Sequence, residues 1–184
     1  MTSTASGRVP VDWQPTLRGE LVELRPLRTD DFDALYAVAS DRLIWEQHPA
    51  SDRYKPEIFR EFFDHAMASG GAFAVRDVAT GRIIGSSRYL GYKPDRYEVE
   101  IGFTFLARSH WGGRHNGEMK RLMLEHAFRF VDTVVFLIGP TNIRSQKAIE
   151  RIGAVHVGRR TNDVGRMSEV YEITKRGYFG GVIP

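Results

Sequence analysis

Apolar and polar positions along this chain change period several times, and each change marks an element. Residues 20–26 (ELVELRP) alternate with a period of two, which predicts a first strand. Thr29, Asp30 and Asp31 then supply a helix start ahead of Phe32, Leu35, Tyr36, Val38 and Ala39 at helical spacing. Residues 41–56 mix aromatic, proline and charged positions. They predict a loop with a short helical piece, a candidate substrate-side segment. Residues 56–68 return to helical spacing, with Ile58, Phe62 and Met67 inward and Gly70-Gly71 as the stop. Residues 72–76 and 82–90 predict a hairpin around a turn at 77–81. Residues 97–105 alternate cleanly: Val99, Ile101, Phe103 and Phe105 on one face, Glu98, Glu100, Gly102 and Thr104 on the other.

The second half of the chain is more sharply patterned. Residues 116–131 form the clearest helix, with Met119, Leu122, Met123, Ala127, Phe130 and Val131 as its apolar stripe. Lys120, Arg121, Glu125, Arg129 and Asp132 mark its wet side. Residues 133–138 (TVVFLI) read as a buried strand. Residues 145–152 form a short helix stopped by Gly153. Two more strands, 154–160 and 168–174, are joined at an Asn162-Asp163 turn. This order describes an α/β (mixed α+β) chain with a mixed sheet. It excludes a doubly wound nucleotide fold, because the middle strands have no crossover helices between them.

With 184 residues, 42% of them hydrophobic and 27% charged, the chain has material for one domain with a sizeable core. Residues 1–18 are expected as a flexible lead-in and 19–184 as the domain. No apolar run reaches the roughly 18 residues that span a membrane, and the first residues lack the apolar stretch of a secretory signal. Cysteine is absent, which removes disulfides, thiolate nucleophiles and cysteine–zinc sites and fits a cytoplasmic location. A net charge of +3 without a dense basic tract does not point to nucleic acid. The six histidines show no compact ligand spacing, so no metal site is expected.

Three constellations carry candidate chemistry. The first is Trp111-Gly112-Gly113-Arg114-His115-Asn116-Gly117, leading into the long helix. Glycines let backbone N–H groups turn toward a ligand, and a helix start favours a phosphate. It is not a Walker loop, and a ligand-free turn capped by Asn116 explains the same residues. The second is Gly139-Pro140-Thr141-Asn142-Ile143-Arg144-Ser145, where Asn142 is either a helix cap or a contact to a ligand amide. The third is Glu100, with Glu98 two positions earlier: a candidate proton acceptor or a solvated strand face. Tyr171 is either core or a hydrogen-bond donor into a cleft, and His126 is structural.

These segments resemble the GCN5-related N-acetyltransferase (GNAT) superfamily, and within it the RimJ/RimL-like ribosomal-protein type. The resemblance rests on LVELRPLRTDDFDAL, GRIIGSSRYLG, VEIGFTF, HWGGRHNGEMKRLMLEHAF and NIRSQKAIERIGAVHVG, spread over residues 20–176. It implies a strongly bent, mostly antiparallel mixed sheet with helices on both faces, and acetyl transfer from acetyl-CoA to an amine without a metal. It also implies roles. Backbone groups of Phe103, Thr104, Phe105 and Leu106 would align the pantetheine arm, and Gly113, Arg114, His115, Asn116 and Gly117 would hold the pyrophosphate. Asn142 would contact the arm, Ser145 would serve as acid toward the CoA thiolate, and Glu100 as base. Arg114 stands at the loop's central glycine position. That departure keeps open a CoA-binding protein without turnover, and a bulkier acyl group such as succinyl is a further alternative. The implied acceptor is a protein N-terminus or a small-molecule amine, with a homodimer possible and no membrane or nucleic-acid partner.

Overall fold

The alternating segments become strands of one eight-stranded sheet in the computed structural model, which describes residues 11–161 and 165–180. The strands are β1 (Leu17–Arg18), β2 (Val22–Pro26), β3 (Ala72–Asp77), β4 (Ile83–Lys93), β5 (Glu98–Leu106), β6 (Thr133–Ile138), β7 (Val155–Thr161) and β8 (Met167–Thr174). The helices are α1 (Phe32–Ala39), α2 (Pro56–Ala68), α3 (Arg114–Ala127), α4 (Ile143–Glu150) and the short α5 (Lys175–Tyr178). The spatial order is β1-β2-β3-β4-β5-β6-β8-β7. Every neighbouring pair is antiparallel except β5 and β6, which run parallel. The expected mixed, mostly antiparallel α/β sheet is the one that forms. Among the described residues no helix is long and apolar enough to cross a membrane.

Each sheet face buries its own core. Phe73 and Val75 of β3 pack with Met119, Met123 and Leu124 of α3. Their neighbours Ala72 and Ala74 point the other way, against Leu35 of α1 and Phe59, Phe62 and Phe63 of α2. Burial on both faces explains why β3 opens with the unbroken apolar run Ala72 to Val75. Side chains such as Phe59 and Met119 are wholly buried, and each contributes about 1.5–3 kcal/mol by leaving water.

Three expectations need correction. Residues 11–18, read as part of a flexible lead-in, are packed. Trp13 lies 5.3 Å from Tyr89 and 5.1 Å from Tyr92, and β1 pairs with β2. Glu118 of α3 ties down the next segment by accepting the N–H groups of Glu20, Leu21 and Val22 at 2.7–3.0 Å. Second, α3 starts at Arg114 with Gly113 as its cap, two residues before the expected start, so Asn116 lies inside the helix. Third, the alternation of β5 breaks at Phe103, whose φ is +52°. There the pairing with β4 slips, so two residues of β5 face one of β4. Phe105 therefore joins the α2-side core, whereas Ile101 and Leu106 stay with α3. A left-handed non-glycine residue costs on the order of 1–3 kcal/mol, which the aromatic packing around Phe103 and Phe105 offsets. Residues 1–10, the Asn162-Asp163 turn and residues 181–184 lie outside the described residues.

Candidate active site

The parallel pair comes apart almost as soon as it forms. β5 and β6 are in register at Glu98–Thr133, Val99–Val134 and Glu100–Val135, and there the pairing ends. Beyond it the strands diverge, and a cavity of about 450 Å³ occupies the gap. Residues 101–106 form one wall and 136–139 the other. Asn116, Gly117 and Lys120 of α3 close one end, with Asn142 and Ser145 at the start of α4. Phe103, Thr104 and Phe105 thus present a strand edge on the β6 side with which no strand among the described residues pairs. Leu106 is partly used already, because its carbonyl accepts the Trp111 indole N–H at 2.9 Å.

The glycine turn borders this cavity, except for two of its residues. Gly112 (φ +67°), Gly113, Asn116 and Gly117 line it. Arg114 does not: it is exposed, in the first turn of α3. His115 also turns away, its Nε2 3.2 Å from the Asp77 carboxylate. The first N–H groups of a helix lack partners within it, so this end of the cavity favours an anion. Arg144, which the sequence did not single out, adds a cation to the lining. Its guanidinium lies 4.0 Å from the Trp111 ring centroid and donates to the Ile44 carbonyl at 2.8 Å.

Asn142 is the helix cap, one of the two roles the sequence left open, and it also borders the cavity. Its Oδ1 caps α4 by accepting the Ser145 N–H at 3.2 Å, and the residue, buried, lines the cavity beside Ser145. Glu100 sits where the strands part. Its Oε1 is 2.8 Å from the place a Cβ on Gly102 would occupy, which puts the carboxylate beside a residue of the cavity wall. Burial pushes Glu100 up to about 7, even though Arg160, Lys93 and Arg88 oppose the rise.

Lys120 contradicts its expected place on the wet side of α3. It is only 3% exposed and lines the cavity. Its Nζ donates to Thr104 Oγ1 at 2.6 Å and to Ser87 Oγ at 3.4 Å. Without a carboxylate among these partners, burial lowers it to about 7, so near neutrality a large share is an uncharged amine. The only sequence signal was its position beside Met119, at the edge of the apolar stripe.

The remaining candidates divide. His126 is structural, with its Nε2 2.7 Å from the Asp12 carbonyl. Tyr171 is buried and donates to Glu150 and Gln146 at 3.2 and 3.3 Å. Asp77, His110 and His115 come together with one ligand atom from each within 4.8 Å of the others, a cluster that sequence spacing did not reveal. Their direct contacts, and the Thr80 N–H and hydroxyl that Asp77 accepts at 2.7 Å, describe a brace at the base of the glycine turn. Of the residues weighed for the acceptor side, Trp45 is buried and lines the cavity with His48, whereas Glu46 and Glu57 are exposed. The Tyr54 carbonyl accepts the Tyr36 hydroxyl.

Comparison with known proteins matches residues 22–155 to the acetyltransferase (GNAT) domain family. None of the curated proteins compared with the chain matches it. Solved structures share the fold over nearly its whole length. A GCN5-related N-acetyltransferase from Brucella melitensis has a TM-score of 0.77 at 22% identity, covering 92% of this chain and 82% of that one. An acetyltransferase from Agrobacterium tumefaciens has a TM-score of 0.67 at 26% identity, covering 88% and 95%. RimJ of Mycobacterium smegmatis, solved in complex with CoA-disulfide, has a TM-score of 0.70 at 18% identity, covering 90% of each chain.

Proposed function

This chain belongs to the GNAT acetyltransferase family, and on that premise we propose that it transfers an acetyl group from acetyl-CoA to a primary amine by direct attack. The acceptor is a protein N-terminal amine or a small-molecule amine. The observation that carries the reading is the early parting of β5 and β6 over a cavity that ends at the start of α3. Acetyl-CoA supplies the activated acyl group.

The chain's own groups have the roles this reading needs. The open edge at Phe103, Thr104 and Phe105 receives the pantetheine amides as an added strand. The N–H groups from Gly113 to Gly117 face the pyrophosphate, and Arg144 adds charge beside Trp111. The Asn142 side chain meets the arm. Glu100, at about 7, takes a proton from the acceptor ammonium near neutral pH. Ser145 returns one to the leaving thiolate. Holding amine and thioester together supplies much of the acceleration. Arg114, the departure that favoured a protein without turnover, sits exposed outside the cavity and does not obstruct it.

Calorimetric titration tests the cofactor first. Acetyl-CoA should bind at least about tenfold more tightly than acetylpantetheine, which lacks the phosphates. Equal affinity would remove the phosphate role of the glycine turn. Thiol release in the presence of amines then tests transfer, with no background from a chain that has no cysteine.

A further inference from the structure

On the α2 side of the parting strands lie two guanidinium groups that, among the described residues, close no ion pair. Arg88 of β4 is 5% exposed, and its Nη2 is buried without a hydrogen-bond partner. Its guanidinium stands 4.3 Å from the Phe103 ring centroid and 5.2 Å from that of Phe62. Arg53, from the loop before α2, covers the same two rings at 5.5 and 4.6 Å. It also lies 5.5 Å from the Trp45 ring, with Nη1 3.2 Å from His48 Nε2. Trp45, His48 and Phe103 line the cavity, so both cations stand directly behind its wall.

The surrounding charges do not cancel this pair. Arg166 acts on both Arg53 and His48 with the same sign. Asp52 and Glu100 act with the opposite sign, but among the described residues neither closes an ion pair with Arg53 or Arg88. His48 is held neutral, lowered to about 4 by burial and then by Arg53. Burial lowers both guanidinium groups to about 10, which leaves them cationic at neutral pH. A buried cation with an unused donor is costly unless an anion completes it. A planar fork with free N–H groups suits a carboxylate.

We propose that Arg88 and Arg53 receive a carboxylate carried by the acceptor amine, so that acidic amines are acetylated in preference to neutral or polycationic ones. The inference rests on the transferase reading above. The carboxylate has two sources, the α-carboxylate of a free amino acid or an acidic side chain near a peptide N-terminus. Either would lie on the face of β5 where Glu100 meets the acceptor's ammonium, leaving the opposite end of the cavity to the anionic cofactor.

The test compares kcat/KM for matched pairs at saturating acetyl-CoA: amino acids against their amides, and short peptides with Asp or Glu at the second position against Asn or Gln. Acidic members of at least one series should be favoured about tenfold or more, and the series that shows it identifies the source. Arg88→Gln and Arg53→Gln should each reduce that preference to within about twofold, while the KM for acetyl-CoA stays unchanged. Arg53→Gln, in a loop, guards against a folding defect at buried Arg88. Transfer to acidic and neutral amines at equal rates overturns the inference and leaves the transferase standing. If no amine is acetylated although acetyl-CoA binds, the transferase reading fails instead. The anion site is then decided by titrating the CoA complex with N-acetylglycine: binding that Arg53→Gln abolishes sustains it, and no binding overturns it.

Discussion

Lys120 Nζ lies 2.6 Å from Thr104 Oγ1 inside the cleft where β5 and β6 part, on a side chain only 3% exposed. A lysine here is a stability liability that an apolar residue would not carry. Its lowered value, about 7 against 10.5 in the unfolded chain, sets the sign. Between those values the unfolded chain binds more protons, so stability rises with pH from about 7 toward 10.5. Lys120→Met should remove that slope and stabilise the protein at pH 6.5 by up to roughly 5 kcal/mol. Urea unfolding of both proteins at pH 6.5 and pH 9 measures it, and a variant no more stable at either pH would show the amine to be well solvated.

Glu100 titrates in the opposite sense. Its value is raised to about 7 from 4.5, so the native state holds the extra proton and stability falls as pH rises from about 4.5 to 7. Glu100→Gln should abolish this fall and add about 3 kcal/mol above pH 7. As a base the carboxylate acts only when ionised. The wild-type rate should rise through about pH 7 and level off, and the glutamine variant should lose on the order of a hundredfold in kcat with acetyl-CoA affinity intact. A pH–rate profile that is the same for both proteins would exclude the role.

Asn142 combines a cap with a proposed cofactor contact, and two substitutions separate them. Asn142→Ala should cost about 1 kcal/mol of stability through the lost bond to the Ser145 N–H. Asn142→Ser keeps a capping oxygen but removes the amide donor, so it should weaken acetyl-CoA binding while sparing most of the stability. Calorimetry beside thermal unfolding distinguishes them. Unchanged affinity in the serine variant would reduce Asn142 to its cap.

The Asp77, His110 and His115 cluster is accounted for as a brace of the glycine turn. Chelation should therefore leave transfer unchanged, and Asp77→Ala should weaken acetyl-CoA binding by about tenfold with kcat retained. Activity lost to a chelator and restored by zinc would instead make the three residues a metal site.

The sequence carried much of the sheet and part of the site, for identifiable reasons. Strand and helix periods located the long elements, and the Glu98–Glu100 pair on an otherwise apolar strand pointed to the carboxylate that lies beside Gly102 of the cavity wall. The glycines before α3 likewise announced a lined turn. What escaped was set by tertiary geometry. Phe103 adopts a left-handed φ without being glycine, so no composition rule marks the slip that sends Phe105 to the other face. Lys120 sits at the edge of the α3 stripe, where helical periodicity cannot tell solvent from a gap between strands. Arg88 gave a faint sign, a cation within the run IIGSSRYLG, but its missing partner is visible only once Phe62 and Phe103 cover it.

The three-residue ladder between β5 and β6 has a thermodynamic consequence for the protein's lifetime. The β6-β8-β7 half of the sheet is joined to the rest through this short seam, so whatever fills the gap stabilises the native chain and not the unfolded one. A ligand at one hundred times its dissociation constant would add about 2.7 kcal/mol by mass action. Resistance to unfolding and proteolysis would then rise with the concentration of whatever ligand fills the gap.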